Sequence, residues 1–358
     1  VFRFCPPFDP EIRSMSQSFS FNLAGQKPPV DVPGGSIQEG NAGTFPVLDG
    51  LAAYIVTLDP GGVRIPHWHP DCNEMQYLIS GSDVQVGLIT PANGVKPGTD
   101  KSYTLRGPGW VGFIPQGWHH YIQNTGTEPA VMMIFFNNAS PNDVDVSWAL
   151  KVGGRDGRKV MEQVFGISLE DADFKRIWNA PGTPGGTRPS SEFGFDLGAS
   201  HPQIVIGGST IRQAVKPTFP VLRGMGLLLL TLEPGAALVP HWHPNAVELD
   251  YVLSGEVYMG LMTTAQGQKP GADVSARLEP GMVGFIPLNW FHYLHNTGSE
   301  PARVLVLLNS EAPEEVDISW AFGTGGADGE RVLKDVFGIS WQGADFKQIW
   351  ISPPPQDS

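Results

Sequence analysis

Cysteine is nearly absent from this chain. Only Cys5 and Cys72 occur among its 358 residues, which rules out a disulfide framework as the source of stability. Apolar runs are short as well. The stretch Leu227 to Leu230 is strand-like and far below membrane-spanning length, so no membrane partner is expected. Basic residues are outnumbered, with 23 Lys and Arg against 36 Asp and Glu and a formal net charge of −13. That balance argues against nucleic acid as a partner. It also repels a small anion at long range, so any anion site must rely on local positive charge from a metal or an arginine. The start, Val1-Phe2-Arg3, shows no charged-then-apolar leader and no initiator Met. A trimmed or mature form is therefore expected, with the compartment open between secreted and cytoplasmic.

What the chain does have is glycine (44), proline (33) and 41% hydrophobic residues. This mixture suits a turn-rich β protein better than a helical one, and the length suffices for two cores. Self-comparison shows an internal repeat. Thr44-Phe45-Pro46-Val47-Leu48 returns as Thr218-Phe219-Pro220-Val221-Leu222, and Val111-Gly112-Phe113-Ile114-Pro115 as Val283-Gly284-Phe285-Ile286-Pro287. The offset falls from 174 to 172 residues between Gly81 and Gly109. The loop around Pro91 to Asp100 is the expected place for the difference.

The repeat divides the chain into an arm (1–17), a first unit (18–180), a Pro/Gly-rich linker (181–191), a second unit (192–352) and a tail (353–358). Within the first unit, Ala53 to Leu58, Met75 to Ile79, Val84 to Ile89, Val111 to Ile114 and Val131 to Phe136 read as short strands bounded by Gly, Pro or Asn. Lys159 to Phe165 and Ala172 to Trp178 carry apolar residues at helical spacing. So do Arg331 to Phe337 and Ala344 to Trp350. The expected architecture is all-β, doubled, with short helical appendices that pack between domains or subunits.

The chemistry-bearing motif is His67-Trp68-His69-Pro70 followed by Glu74, repeated as His241-Trp242-His243-Pro244 followed by Glu248. A later histidine joins each set, His120 in the first and His292 in the second. Alternate residues of a strand share a face, so His67 and His69 point together and Trp68 points away. His119 precedes His120, but the second copy has Phe291-His292, which selects His120. Three imidazoles and one carboxylate differ from closed, Cys-rich structural zinc sites. The mixed donors suit Mn, Fe, Ni, Cu or Zn, and a six-coordinate ion would keep two positions open. Cys72 lies between His69 and Glu74. The second copy has no thiol in that loop, so Cys72 reads as a loop residue. Gln76 and Asp250 share the strand face of Glu74 and Glu248 and are candidates for orienting ligands or bound water. His201 and His295 have no counterpart ligand position, and Asn138-Ala139-Ser140 matches a glycosylation acceptor.

These residues resemble the cupin motifs. Gly61 or Gly62, His67-x-His69, Glu74 and Gly81 match the first motif, and Gly109, Pro115, Gly117, His120 and Asn124 the second. The other half matches with Gly235, His241-x-His243, Glu248 and Gly255, then Gly281, Pro287, His292 and Asn296. Asn289 stands where the motif has Gly. Among two-domain cupins the chain looks most like the oxalate decarboxylases and more distantly like germins. The resemblance implies two tandem jelly-roll domains and two manganese sites in the eight residues above, with Fe, Cu, Ni or Zn as alternatives. It also implies a small-molecule carboxylate substrate and a homo-oligomer, trimer or hexamer.

In that family an arginine three residues before the first ligand His orients the substrate. Arg64 stands there, and the second unit has Leu238. Arg64 would be off the His face of an ideal strand, so a bend at Pro66 is needed to turn it inward. A guanidinium matches a carboxylate in bidentate fashion. The family's lid glutamate has no match in Asn137 to Asp143, where Asp143 is the only candidate acid. The second copy has Glu311, Glu314 and Glu315. The expected activity is therefore oxalate decarboxylase, giving formate and CO2, or oxalate oxidase. The alternatives are a cupin dioxygenase acting on another oxygenated substrate, or a non-catalytic metal-binding or germin-like storage protein.

Overall fold

The computed structural model describes residues 18–166, 176–179, 189–338 and 349–351. Each half forms two antiparallel sheets. In the first half the larger sheet runs Gly194–Asp196, Trp110–Ile114, Glu74–Ser80, Ala130–Phe136, Ala52–Leu58, Gly35–Gly40, Val30–Val32. The smaller runs Val144–Asp145, Gly62–Trp68, His119–Asn124, Val84–Ile89, Tyr103–Leu105. The second half repeats this plan with Glu248–Ser254, Met282–Ile286 and Ala302–Leu308 in its larger sheet, and Ala236–Trp242 and His292–His295 in its smaller. The predicted strands all form, extended by a residue or so at one or both ends except for Val84–Ile89, which is unchanged. Their β-branched and aromatic residues supply the facing surfaces of two packed sheets. Leu58, Val84, Val86, Leu105 and Val111 are fully buried.

The central strands of the larger sheets are covered on both faces. All of Glu74 to Leu78 is buried, with Gln76 inside the barrel and Tyr77 turned toward Arg303 of the second half. Contacts such as Asn73 Nδ2 to the Arg223 carbonyl (2.9 Å) join the halves. The entry strands are exchanged. Ser20–Asn22 pairs with Met282–Ile286 of the second half, and Gly194–Asp196 pairs with Trp110–Ile114 of the first. Phe21 stacks on Phe45 and Phe195 on Phe219, each at 5.3 Å between ring centroids. Sequence boundaries and sheet boundaries therefore differ.

Two expectations need correction. The helices Gly154–Phe165 and Ala327–Phe337 form, but Ile177 and Trp178 lie in the strand Ile177–Asn179, which pairs with Gly62–Trp68. Ile349–Ile351 does the same against Ala236–Trp242. An exposed sheet edge has unpaired N–H and C=O groups, and satisfying them outweighs a short helical pattern. The remainder of both predicted helices, at 172–175 and 344–348, lies outside the described residues.

The two-residue offset also arises elsewhere. Val84 pairs with Leu105 and Val257 with Leu278, so the loop from 85 to 104 keeps its length in both halves. One residue is lost where Ser82-Asp83 becomes Glu256, and one where Arg106-Gly107-Pro108 becomes Glu279-Pro280. Asp83, at φ 57°, is the residue the shorter turn dispenses with. The helices Gly154–Phe165 and Ala327–Phe337 contain no buried residue among the described residues.

Candidate metal centres

The strand Gly62–Trp68 brings His67 directly opposite His120 of the neighbouring strand. His69 lies just past the strand end, two residues on, and Trp68 points outward. Glu74 opens the strand Glu74–Ser80, central in the opposite sheet, so the site spans the gap between the sheets near one end of the barrel. All four side chains are buried. One ligand atom from each lies within 4.8 Å of the others, and the same holds for His241, His243, Glu248 and His292.

Backbone carbonyls fix the rings. Nδ1 of His67, His69 and His120 bonds to the carbonyls of Ile65, Asn142 and Trp118 at 2.7, 2.8 and 2.9 Å. In the second site the partners are Val239, Glu314 and Trp290, at 2.6, 2.7 and 2.9 Å. A carbonyl only accepts, so each Nδ1 carries a proton and each ring turns its Nε2 inward. The Nε2 atoms converge on a carboxylate. His69 Nε2 and His120 Nε2 lie 2.8 and 3.3 Å from Glu74 Oε2, and the second site gives 2.9 and 3.2 Å at Glu248 Oε2. Protons shared between these rings and the carboxylate account for such distances, and a divalent ion taking the place of those protons fits the donor set. Burial by itself would raise both carboxyls, but the histidines outweigh it and hold Glu74 and Glu248 well below the usual range. Burial and neighbouring positive charge likewise keep His67 and His241 neutral, as a ligand must be.

The groups behind Glu74 and Glu248 differ. Tyr103 donates to Gln76 Oε1 and Gln76 Nε2 donates to Glu74 Oε1, both at 2.6 Å. The second site replaces this relay with Asp250 and Ala276. Asp250 is completely buried, and burial together with Glu248 pushes its carboxyl well up. A proton on Asp250 would supply the donor that Glu248 Oε1 otherwise lacks.

Arg64 does reach the interior. Between the pairs His67–His120 and Arg64–Ile122, the first strand has one residue more than its partner. This bulge at Ile65-Pro66 puts Arg64 on the histidine face, and Leu238 turns inward through the same irregularity. Arg64 Nη2 is paired with Asp143, and Nη1 donates to Asp145 Oδ1 (2.7 Å) and to the Arg176 carbonyl (3.2 Å). Arg176 extends the network, donating to Glu39 (2.6 Å) and Asp143 (3.2 Å). Burial would raise Asp143, but the two guanidiniums outweigh it and hold the carboxyl low. Burial beside this cluster pushes Tyr54 up to about 12.

Glu39, Tyr103 and Arg176 escape a reading of the sequence motifs. Their signal lies in the repeat itself, because the matching residues Gln213, Ala276 and Gln348 differ in charge or hydrogen-bonding capacity.

Several other candidates are placed outside the chemistry. Cys72 is buried with its thiol pushed up, and stands outside the metal cluster. Trp118 and Trp290 pack on Phe193 and Phe19, away from the ligands. Asn289 takes φ 64° where Gly117 takes 76°. Asparagine tolerates that left-handed conformation, so the substituted turn keeps its shape.

A double-barrelled fold with a cluster of three histidines and one glutamate in each barrel defines a bicupin with two sites capable of holding a divalent metal. The cupin family profile matches residues 21–173 and 195–341. The chain belongs to the cupin family. It is 26% identical over 306 residues to the oxalate decarboxylase OxdC of Bacillus subtilis, covering 80% of this chain and 74% of that protein. It is 37% identical over 106 residues to germin-like protein 5-1 of Oryza sativa subsp. japonica, covering 30% and 44%. The fold superimposes on the structure of the Bacillus subtilis oxalate decarboxylase at pH 4.6 with a TM-score of 0.78. That match has 21% identity and covers 95% of this chain and 89% of that one.

Proposed function

We propose that this protein is a manganese-dependent enzyme acting on oxalate or a closely related small carboxylic acid, with the first barrel as the reaction site. The observation that carries the reading is the bulge at Ile65-Pro66, which sets a guanidinium beside a buried three-histidine, one-glutamate cluster. Manganese held by His67, His69, Glu74 and His120 would supply Lewis-acid polarisation and one-electron chemistry. Fe, Cu, Ni or Zn would fit the same donors. Arg64 binds the far carboxylate of the substrate, exchanging its Asp143 partner for it and keeping Asp145. The exchange keeps Arg64 paired with a carboxylate throughout, and Asp143 retains Arg176 as its partner.

Asp143 lies on the segment 137–143, which is fastened by Asn142 Nδ2 to Asp71 (2.6 Å) and by its carbonyl to His69. Released from Arg64, Asp143 loses the main influence that keeps it ionised and becomes able to carry a proton. Decarboxylation breaks the carbon–carbon bond, releases CO2 and needs one proton at the remaining carbon to give formate. Oxidation needs no proton at carbon. It passes two electrons to dioxygen, giving two CO2 and hydrogen peroxide. Asp143 held between two arginines favours the oxidase outcome as the second reading.

The test is oxalate supplied to protein of measured metal content, with formate, CO2, oxygen uptake and peroxide followed together. Formate in equal amount to CO2 supports the first reading, and peroxide the second. Neither product from metal-replete protein would sink both. Arg64→Ala should lower turnover by about two orders of magnitude or more while leaving metal content intact.

A further inference from the structure

The second barrel keeps the metal cluster and changes the polar and bulky side chains around it. A cavity of about 110 Å³ opens on His241, His243 and Glu248. Its walls are Ile211, Leu228, Leu230, Leu238, Val306 and Leu308, with Gln213, Pro313 and Glu315 completing the lining. At the matching places the first barrel has Tyr54 for Leu228, Arg64 for Leu238, Phe136 for Leu308, Glu39 for Gln213 and Asp143 for Glu315. No lysine or arginine lines the second cavity among the described residues. Oxalate bound end-on at this cluster would leave its second carboxylate among leucines and beside a carboxyl group, at the cost of desolvating that charge without a partner. Bound side-on, it would leave the leucine-lined space unfilled.

We infer that the second barrel binds a small monocarboxylate with a short, branched aliphatic body, a different ligand class from the first. The carboxylate meets the histidine–glutamate end and the ion it holds, and the aliphatic part fills the leucine-lined space. Size agrees. An apolar cavity of about 150 Å³ takes benzene, so this one suits about four to six heavy atoms. Isobutyrate matches in size, charge and shape. The inference uses only the metal-binding capacity of the second cluster and is independent of the oxalate reading of the first.

The test is ligand-observed NMR of isobutyrate, and separately of oxalate, with the full metal-loaded chain. Isobutyrate should bind the wild type in the millimolar range. Arg64→Leu should leave that binding unchanged, which separates the two barrels. Leu228→Tyr and Leu238→Arg each install the first barrel's own side chain and should weaken isobutyrate binding by about tenfold or more. Leu238→Arg should also create a second oxalate site. Leu238→Met should keep wild-type binding and controls for folding. The inference fails if isobutyrate does not bind the wild type. It fails equally if folded Leu228→Tyr binds isobutyrate as the wild type does, or if Arg64→Leu is the change that removes binding.

Discussion

At the residue scale the two clusters have identical members and different neighbours, which would tune the two sites separately. Glu74 is aimed by a neutral relay, Tyr103 through Gln76, and Glu248 by a buried acid, Asp250. Groups behind a metal ligand commonly change affinity by about 10- to 100-fold when removed. Tyr103→Phe frees the Gln76 amide to turn, and Gln76→Leu removes the donor to Glu74 outright. Both should lower metal occupancy of the first site by roughly tenfold or more and leave the second filled. Elemental analysis after dialysis against a graded chelator should then fall from two ions toward one. Loss of both ions together, or of neither, would contradict a site-specific relay. The clustering of the eight His and Glu residues was legible in the sequence, because a repeat that preserves His-x-His, Glu and a later His at matched spacing leaves little else to pack that way. The relay was only half legible. Gln76 and Asp250 follow from strand alternation, but Tyr103 comes from a strand whose register depends on partners distant in sequence.

At the element scale, legibility tracks how local the cause is. Strand positions follow from alternating apolar residues and turn-forming boundaries, and these were readable. The bulge at Ile65-Pro66 is a mismatch in residue count between two strands. Arg64's inward turn could be anticipated at Pro66, yet one strand alone does not determine it. The short strands Ile177–Asn179 and Ile349–Ile351 have helical spacing and are recruited by a sheet edge. The exchange of Ser20–Asn22 and Gly194–Asp196 was hidden for another reason. Both units enter with the same Phe-x-Phe pattern, so the sequence is equally compatible with each strand staying at home. The exchange has a thermodynamic consequence. Each larger sheet is completed by a strand of the other half, and the stacked aromatics cross with it. Unfolding one half strips a paired strand and part of the buried face from the other. Calorimetry should therefore show one cooperative transition for the two barrels rather than two separated ones. A second transition resolved by ten degrees or so would mean that the exchanged strands contribute little.

At the scale of the whole molecule, what one chain leaves uncovered is as informative as what it buries. The helix Gly154–Phe165 carries Val160 and Val164, four residues apart, and Phe165 beside them. The helix Ala327–Phe337 repeats the pattern with Val332, Val336 and Phe337. All six side chains are at least half exposed, Phe165 at 63% and Phe337 at 67%. Each helix is strongly amphipathic in sequence, yet neither buries a residue within the chain. A short helix of this length draws its stability from packing its apolar face, so a covering surface is required. Because the two halves carry equivalent helices, the first half of one copy can meet the second half of the next. Such a head-to-tail contact is saturated only when a ring closes. This geometry is consistent with the homo-oligomer that the cupin resemblance implies. Light scattering should give a mass of at least three chains for the wild type. The double variant Phe165→Glu, Phe337→Glu places a carboxylate in each half of the contact and should dissociate the ring to single chains, with the β-sheet signal in circular dichroism unchanged. Either single variant spoils the contact in every interface, since each interface uses one helix of each kind, so both should dissociate as well. A single variant that keeps the full mass would show that the two helices do not face one another across the subunit boundary.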